Sequence, residues 1–94
     1  MTALRKETQN FRTRKKQEIE AARRTAAFFL ACGVDLAAAL AMRDEARRRL
    51  CRKLARLVER ERLRGMCRHW SYDLNRHIAL SQALRQLEAS GETV

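Results

Sequence analysis

An arginine row between residues 48 and 60 is the strongest chemical pattern in this sequence. At 100° per residue its members fall on one side of a helix, opposite the leucines. Guanidinium groups bind phosphate and carboxylate in bidentate geometry, so successive basic turns can follow a phosphate backbone. The row consists of Arg48, Arg49, Arg52, Lys53, Arg56 and Arg60, and Arg64 and Arg68 continue it. We expect it to bind nucleic acid or an acidic protein surface. The plainer interpretation is a solvated face with i,i+3 and i,i+4 glutamate pairs.

A second basic cluster lies near the N-terminus. It contains Arg12, Arg14, Lys15 and Lys16, and Arg5 and Lys6 precede it. The cluster is either an arm that binds nucleic acid or the polar side of the first helix. Phe11 is the one aromatic residue among these charges, whereas single-strand binders stack bases on several exposed rings. We therefore expect contacts to the nucleic-acid backbone and no sequence-specific recognition of single strands.

The cysteines and histidines do not form a metal motif. Cys67, His69 and His77 lack a Cys-x-x-Cys pair, and the first two lie on different sides of a helix. Asp73, His77 and Ser81 share one helix face, but catalytic triads converge from separate elements, so a buried hydrogen-bonded network is expected instead. We predict no catalytic residues, no metal site and no cofactor, and hence a protein that is not an enzyme.

The charge balance also favours a binding protein. The 94 residues include 21 Lys and Arg against 11 Asp and Glu, for a formal net charge of +10. Residues 1–24 hold eight basic and three acidic side chains, 43–68 hold eleven and four, and 69–94 hold two and three. Seventeen of the basic residues are arginine. This excess of arginine over lysine favours phosphate recognition, but GC-rich coding alone would produce the same excess. The asymmetry predicts that one end binds a partner while the other packs or dimerises.

The apolar stretch 25–42 does not predict a membrane span. Gly33 and Asp35 lie at its centre, and an aspartate there costs about 2.5 to 3.5 kcal/mol on insertion. A helix-turn-helix around Gly33 is a weaker alternative, because the residues after the turn, Asp35, Leu36 and three alanines, cannot hydrogen-bond base edges. Three widely spaced cysteines are typical of free thiols in a reducing compartment, so we expect a cytoplasmic location.

Three helices are predicted to position these groups. The chain has no proline and only three glycines, so little would interrupt a helix. We expect a long first helix over 4–31 followed by an antiparallel helical hairpin, about 35–64 and 66–90. The fold class is therefore all-α, in a single small domain 1–94 with a basic segment 1–24 and a flexible tail 90–94. A second helix this long, about 44 Å, exceeds a compact three-helix unit, so we expect a homodimer.

Sequence spacing also predicts the caps and the register of the hairpin. Gly33 is expected to end the first helix and Asp35 to cap the second, while the third begins at Met66 or is capped by Ser71. A continuous helix through Gly65 is the alternative. In the hairpin, Arg47 is expected to meet Glu88 and Arg43 to approach Glu92. The predicted hairpin core is Trp70, Ile78, Leu80, Leu84 and Leu87, of which the last four meet Leu50, Leu54 and Leu57. The predicted apolar face of the first helix is Leu4, Phe11, Ile19, Ala22, Ala26, Phe29 and Leu30.

Overall fold

A computed structural model describes residues 2–92, apart from the side chain of Glu92, and every regular element in this part is an α-helix. The helices are α1 (Thr2–Cys32), α2 (Leu36–Leu40), α3 (Asp44–Met66) and α4 (Leu74–Glu92). The all-α prediction is confirmed. The three-helix layout is not, because the predicted second helix is divided into α2 and α3. Of the predicted tail, 93–94 lies outside the described residues.

The division falls at 41–43, where nothing in the sequence is a strong helix breaker. Ala41 ends α2 with φ −90° and ψ −2°, and Arg43 is extended at the N-cap of α3 with φ −62° and ψ 152°. Asp44 and Glu45 occupy the first turn of α3, where negative charge suits the positive end of the helix dipole. The break lets the short α2 turn inward, so that Leu36 and Ala39 are buried.

The turn between α1 and α2 follows the predicted chemistry. Gly33 adopts φ +71°, the left-handed conformation that glycine tolerates best, and its N–H donates to the carbonyl of Phe29 at 2.8 Å. Asp35 occupies the N-cap position of α2 with an extended backbone, but its side chain makes no capping hydrogen bond. Both positions were predicted correctly. The five residues of α2 are too few for the recognition helix of a helix-turn-helix, so the turn joins two packed helices.

Helices α3 and α4 form the predicted antiparallel hairpin. The guanidinium of Arg76 meets the carboxylate of Glu61 at 2.7 Å, and that of Arg47 lies beside Gly91 at the other end. The helix passes through Gly65 and ends at Met66, so the continuous-helix alternative is wrong. A Cβ at Gly65 would lie 2.9 Å from Cζ of Tyr72, so glycine is what lets the tyrosine ring pack on the helix.

The fourth helix begins later than predicted. Asp73, rather than Ser71 or a start at Met66, caps α4, because its Oδ1 accepts hydrogen bonds from the backbone N–H groups of Asn75 and Arg76 at 2.9 and 3.3 Å. Residues 67–73 therefore form a connection, in which Arg68 adopts φ 52°. Trp70 lies in this connection and is 90% exposed, so its assignment to the core was wrong.

The core is centred on α4, which packs against both α1 and α3. Leu54, Leu80 and Leu87 are buried as predicted, and Leu84 is half-buried. Ile78 is exposed, so its assignment to the hairpin core was wrong. Leu50 and Leu57 are also half-buried and pack against the core. The full buried cluster is Phe28, Leu36, Ala39, Leu54, Leu80, Ala83 and Leu87.

Arg47 is only 7% exposed, but its carboxylate partner is Asp44 and not the predicted Glu88. The break before α3 places Asp44 one turn away on the same helix, and Arg47 also donates to the carbonyl of Met42 at 3.0 Å. Arg43 is exposed, and the side chain of its predicted partner, Glu92, lies outside the described part of the structure.

The first helix buries a different face from the one predicted. Phe28 is its one buried residue, and Arg24 donates to Oε1 of Gln86 on α4 at 3.1 Å. The seven apolar residues of the predicted face are all exposed. Residues 2–19 project beyond the core as an arm whose side chains are exposed throughout. The radius of gyration is accordingly 16.1 Å, whereas a compact chain of this length would have about 12 Å.

None of the helices within 2–92 combines the length and the apolar character that a membrane crossing requires.

Candidate nucleic-acid interface

The predicted arginine row lies on the outer face of α3. We define this outer face as Arg48, Arg49, Arg52, Lys53, Arg56 and Arg60, all of which are exposed. The opposite side of the helix carries the buried residues Arg47, Leu54 and Glu61 and packs on α4. The packing of α3 on α4 therefore keeps the arginine row on the solvent-facing side of the helix. The row extends about 18 Å along the helix axis.

Acidic side chains leave most of this face uncompensated. Arg49 pairs with the carboxylate of Glu45 at 3.3 Å, and none of the carboxylates of residues 2–91 lies within 4 Å of the other five cations. Glu59 is engaged by Arg62, at 2.6 Å, and the hydrogen bond from Arg62 lowers the pKa of the Glu59 carboxyl. The interpretation of the row as a solvated face paired with glutamates therefore holds for Arg49 alone.

Arg64, predicted as a continuation of the row, has a different environment. Its guanidinium bonds to Oε1 of Glu61 at 3.0 Å, and Arg76 of α4 bonds to the same oxygen at 2.7 Å. Glu61 is only 5% exposed, so a buried carboxylate is shared by two arginines across the hairpin. Arg64 thus helps to join α3 to α4. The sequence does show a glutamate three residues before this arginine, which predicts an ion pair within the helix. It does not show that the glutamate is buried, because burial depends on how α4 packs against α3.

The N-terminal cluster lies on the projecting arm. Arg12, Arg14, Lys15 and Lys16 are all exposed, but the helix does not place them on one face. Arg12 and Lys16 are neighbours at a four-residue step and lie on the side of Arg23, whereas Arg14 points to the opposite side. The structure brings three of these four predicted residues together, since Arg12, Lys15 and Lys16 line one surface depression with Arg23, and it holds them clear of the core.

Sequence reasoning missed a groove between α1, α3 and α4. It encloses about 610 Å³. Its lining combines apolar and charged side chains. The apolar ones include Ala27, Ala31, Leu57, Ala79 and Leu80, and the charged ones are Arg23, Arg60, Arg64, Arg76, Glu61 and Asp73. These residues come from three helices, so the pattern within any one helix does not reveal the groove.

The predicted hydrogen-bonded row on α4 does not form. Asp73 is used as the helix cap, and Nδ1 of His77 bonds to the hydroxyl of Tyr72 at 2.9 Å. His69 bonds through Nδ1 to Ser71, with Oγ at 2.7 Å. Across residues 2–92 no three His, Cys, Asp or Glu side chains are grouped closely enough to hold a metal ion.

The three cysteines are free thiols. Burial raises the pKa of the Cys32 thiol, against the opposing effect of the nearby Lys53 ammonium. Burial also raises the pKa of Cys51, and the Glu88 carboxylate adds to that shift while Arg47 opposes it. A raised pKa keeps both thiols protonated at neutral pH, where the thiol form is a poor nucleophile.

Comparison with protein-family models, with curated proteins and with solved structures finds no match to this chain.

Proposed function

We propose that this protein binds the phosphate backbone of nucleic acid through the outer face of α3, without catalysis. The observation that carries the proposal is the run of five exposed cations without carboxylate partners in the described residues, spread over about 18 Å of one rigid helix. A fixed row of this kind matches a regular line of phosphates better than a flexible basic tail does, because less side-chain and backbone freedom is lost on binding.

The chemistry is backbone recognition. Arginine donates two parallel hydrogen bonds to a phosphate, and each neutralised phosphate releases condensed counterions. The arm of α1 adds Arg12 and Lys16 as further contacts. Binding of this type is non-specific or guided by shape, and it takes either RNA or DNA.

The test is a salt series with charge reversal. We expect the unaltered protein to bind mixed RNA and DNA at low salt, with a slope in log Kd against log salt of about 0.9 for each phosphate contacted. The double variant Arg52→Glu and Arg56→Glu should abolish binding while circular dichroism shows unchanged helicity. A matched control, Arg62→Glu and Arg85→Glu, removes the same charge from positions outside the outer face and should retain binding.

Two results would count against the proposal. One is negligible affinity at low salt or a salt-independent affinity. The other is an equal loss in the control variant, which would mean that net charge rather than the outer face attracts nucleic acid.

A helical adaptor, inhibitor or chaperone that docks on an acidic protein is the second candidate. The groove supports it, because a lining of apolar side chains together with Arg23 and Arg60 suits an amphipathic helix with an acidic side. Co-purification followed by an absorbance ratio and mass spectrometry separates the candidates. Asn75→Glu, at an exposed position that lines the groove, should release an acidic protein partner but leave nucleic acid bound.

We also propose that the protein is a cytoplasmic homodimer. The support for a dimer is the exposed apolar face of α1, which includes Leu4, Phe11, Ile19, Phe29 and Leu30 and has no partner helix within the described residues. The support for a cytoplasmic location is the set of three unpaired cysteines.

A further inference from the structure

The connection between α3 and α4 presents the only tryptophan of the chain to solvent. We call residues 66–74 the hairpin tip. Trp70 is 90% exposed there, although an aromatic side chain of this kind usually buries about 150 to 250 Å². Its ring therefore contributes little to the core, which contains Leu80 and Leu87 of α4 instead.

The indole ring is nevertheless held in place. The ring of His69 stacks on it, with 5.6 Å between centroids and 29° between planes. His69 is in turn fixed by Ser71, whose backbone N–H donates to Nδ1 at 3.2 Å. The backbone is tied to the last turn of α3, since the N–H of His69 donates to the carbonyl of Arg64 at 2.9 Å. The ring of His69 thus lies against a small part of the indole, and a planar ligand can reach most of the Trp70 ring.

One further exposed cation lies between the outer face of α3 and this ring. Arg60 is the last member of the outer face, Arg64 is engaged by Glu61, and Arg68 lies in the hairpin tip two residues before Trp70. Arg68 is exposed, and no carboxylate among residues 2–92 pairs with it. The nearest acidic residue in the chain, Asp73, is occupied in capping α4. An apolar ring at the end of a line of cations has the complementary chemistry of a base attached to a line of phosphates.

We propose that Trp70 stacks on an unpaired nucleobase of a strand whose phosphates follow the outer face of α3. This inference rests on the proposed function and narrows its substrate to nucleic acid with exposed bases, such as single strands or frayed ends. Stacking is indifferent to sequence, because every base has a π face. The proposal therefore adds a preference for single-stranded over double-stranded nucleic acid, without recognition of the base sequence.

Intrinsic fluorescence tests the inference directly, because Trp70 is the sole tryptophan. We expect an oligothymidylate to quench its emission at low salt, and a blunt-ended duplex of equal length to quench it far less. Trp70→Ala should weaken oligothymidylate binding about tenfold, which corresponds to about 1.4 kcal/mol, and should leave duplex binding unchanged. Met66→Ala removes another exposed apolar side chain from the tip and serves as the matched control.

The outcomes separate this inference from the proposed function. If Trp70→Ala binds both oligonucleotides as the unaltered protein does, base stacking is wrong and backbone binding stands. If neither oligonucleotide binds, the proposed function itself is wrong. A blue shift with anionic phosphatidylserine vesicles and no quenching by oligonucleotides would show that the tip meets a membrane surface, and would overturn the stacking proposal.

Discussion

Glu61 shows how a charged residue can be part of the interior of this small protein. Its carboxylate is buried, and Oε1 accepts from Arg64 of its own helix and from Arg76 of α4. A buried carboxylate is tolerated only where cations compensate it, so this triad joins the two helices of the hairpin as the apolar contacts do. It also fixes Arg64 and Arg76 beside the groove.

Removal of this carboxylate should destabilise the fold. We expect Glu61→Ala to lower the free energy of unfolding by about 2 to 4 kcal/mol, because two partly buried arginines lose their partner. Urea denaturation measures the change. Glu59→Ala is the matched control, since Glu59 also pairs with the arginine three residues later but is exposed, and its loss should cost much less. Equal effects of the two substitutions would contradict a structural role for the triad.

At the scale of single residues, the sequence correctly predicted those features that depend only on neighbouring residues in the chain. The conformation of Gly33 and the cap position of Asp35 follow from backbone preferences, and both were correct. The partners of Arg47 and the place of Trp70 were wrong, because each depended on where a helix begins. A shift of a few residues at the start of α4 moved Trp70 from the core to the hairpin tip.

At the scale of elements, α1 has two parts with different roles. Its C-terminal part packs on α4 through Phe28 and Arg24, whereas the arm contributes no buried side chain. The arm carries six cations, namely Arg5, Lys6, Arg12, Arg14, Lys15 and Lys16. Its contribution to folding should therefore be small and its contribution to anion binding large.

Deletion of residues 2–18 separates these contributions. We expect the unfolding midpoint to equal that of the single-chain variant Phe11→Ser and Ile19→Ser, because residues 2–18 make no buried contact within one chain. Nucleic-acid affinity should fall, and the salt slope should decrease by about 0.9 for each phosphate contact that is lost. Thermal melting and a salt series measure the two effects. A chain of full length with Arg12 and Lys16 changed to Gln should show part of the loss in affinity with no change in stability. A deletion variant that is unfolded would contradict this division of α1.

Helical periodicity predicted which side of α3 carries the arginines, and this prediction was correct because one stripe of leucines faces α4. Periodicity did not predict the break at 41–43, since no glycine or proline marks it. Nor did it predict which face of α1 is buried. Two apolar faces compete on α1, and only the position of α4 decides between them. The groove could not be predicted for the same reason.

At the scale of the whole molecule, the structure is a small core with a long helical projection, 51 × 40 × 20 Å in extent. The exposed apolar face of α1 runs along that projection, and a second copy would bury it. Such a dimer would also bring two basic outer faces into one particle.

We expect static light scattering to give twice the chain mass of 11.0 kDa for the unaltered protein. The double variant Phe11→Ser and Ile19→Ser should shift it to the mass of a single chain, because polar side chains remove the apolar contact that favours association. Leu63→Ser, which changes an exposed leucine on α3, should remain dimeric. A single-chain mass for the unaltered protein at micromolar concentration would refute the dimer.

The central position of α4 has a consequence for biosynthesis. Both α1 and α3 are translated before α4, the helix that buries Phe28 and faces Leu54. Until residues 74–92 emerge from the ribosome, neither α1 nor α3 has its principal packing surface. We therefore expect the core of this domain to form only after α4 has been translated.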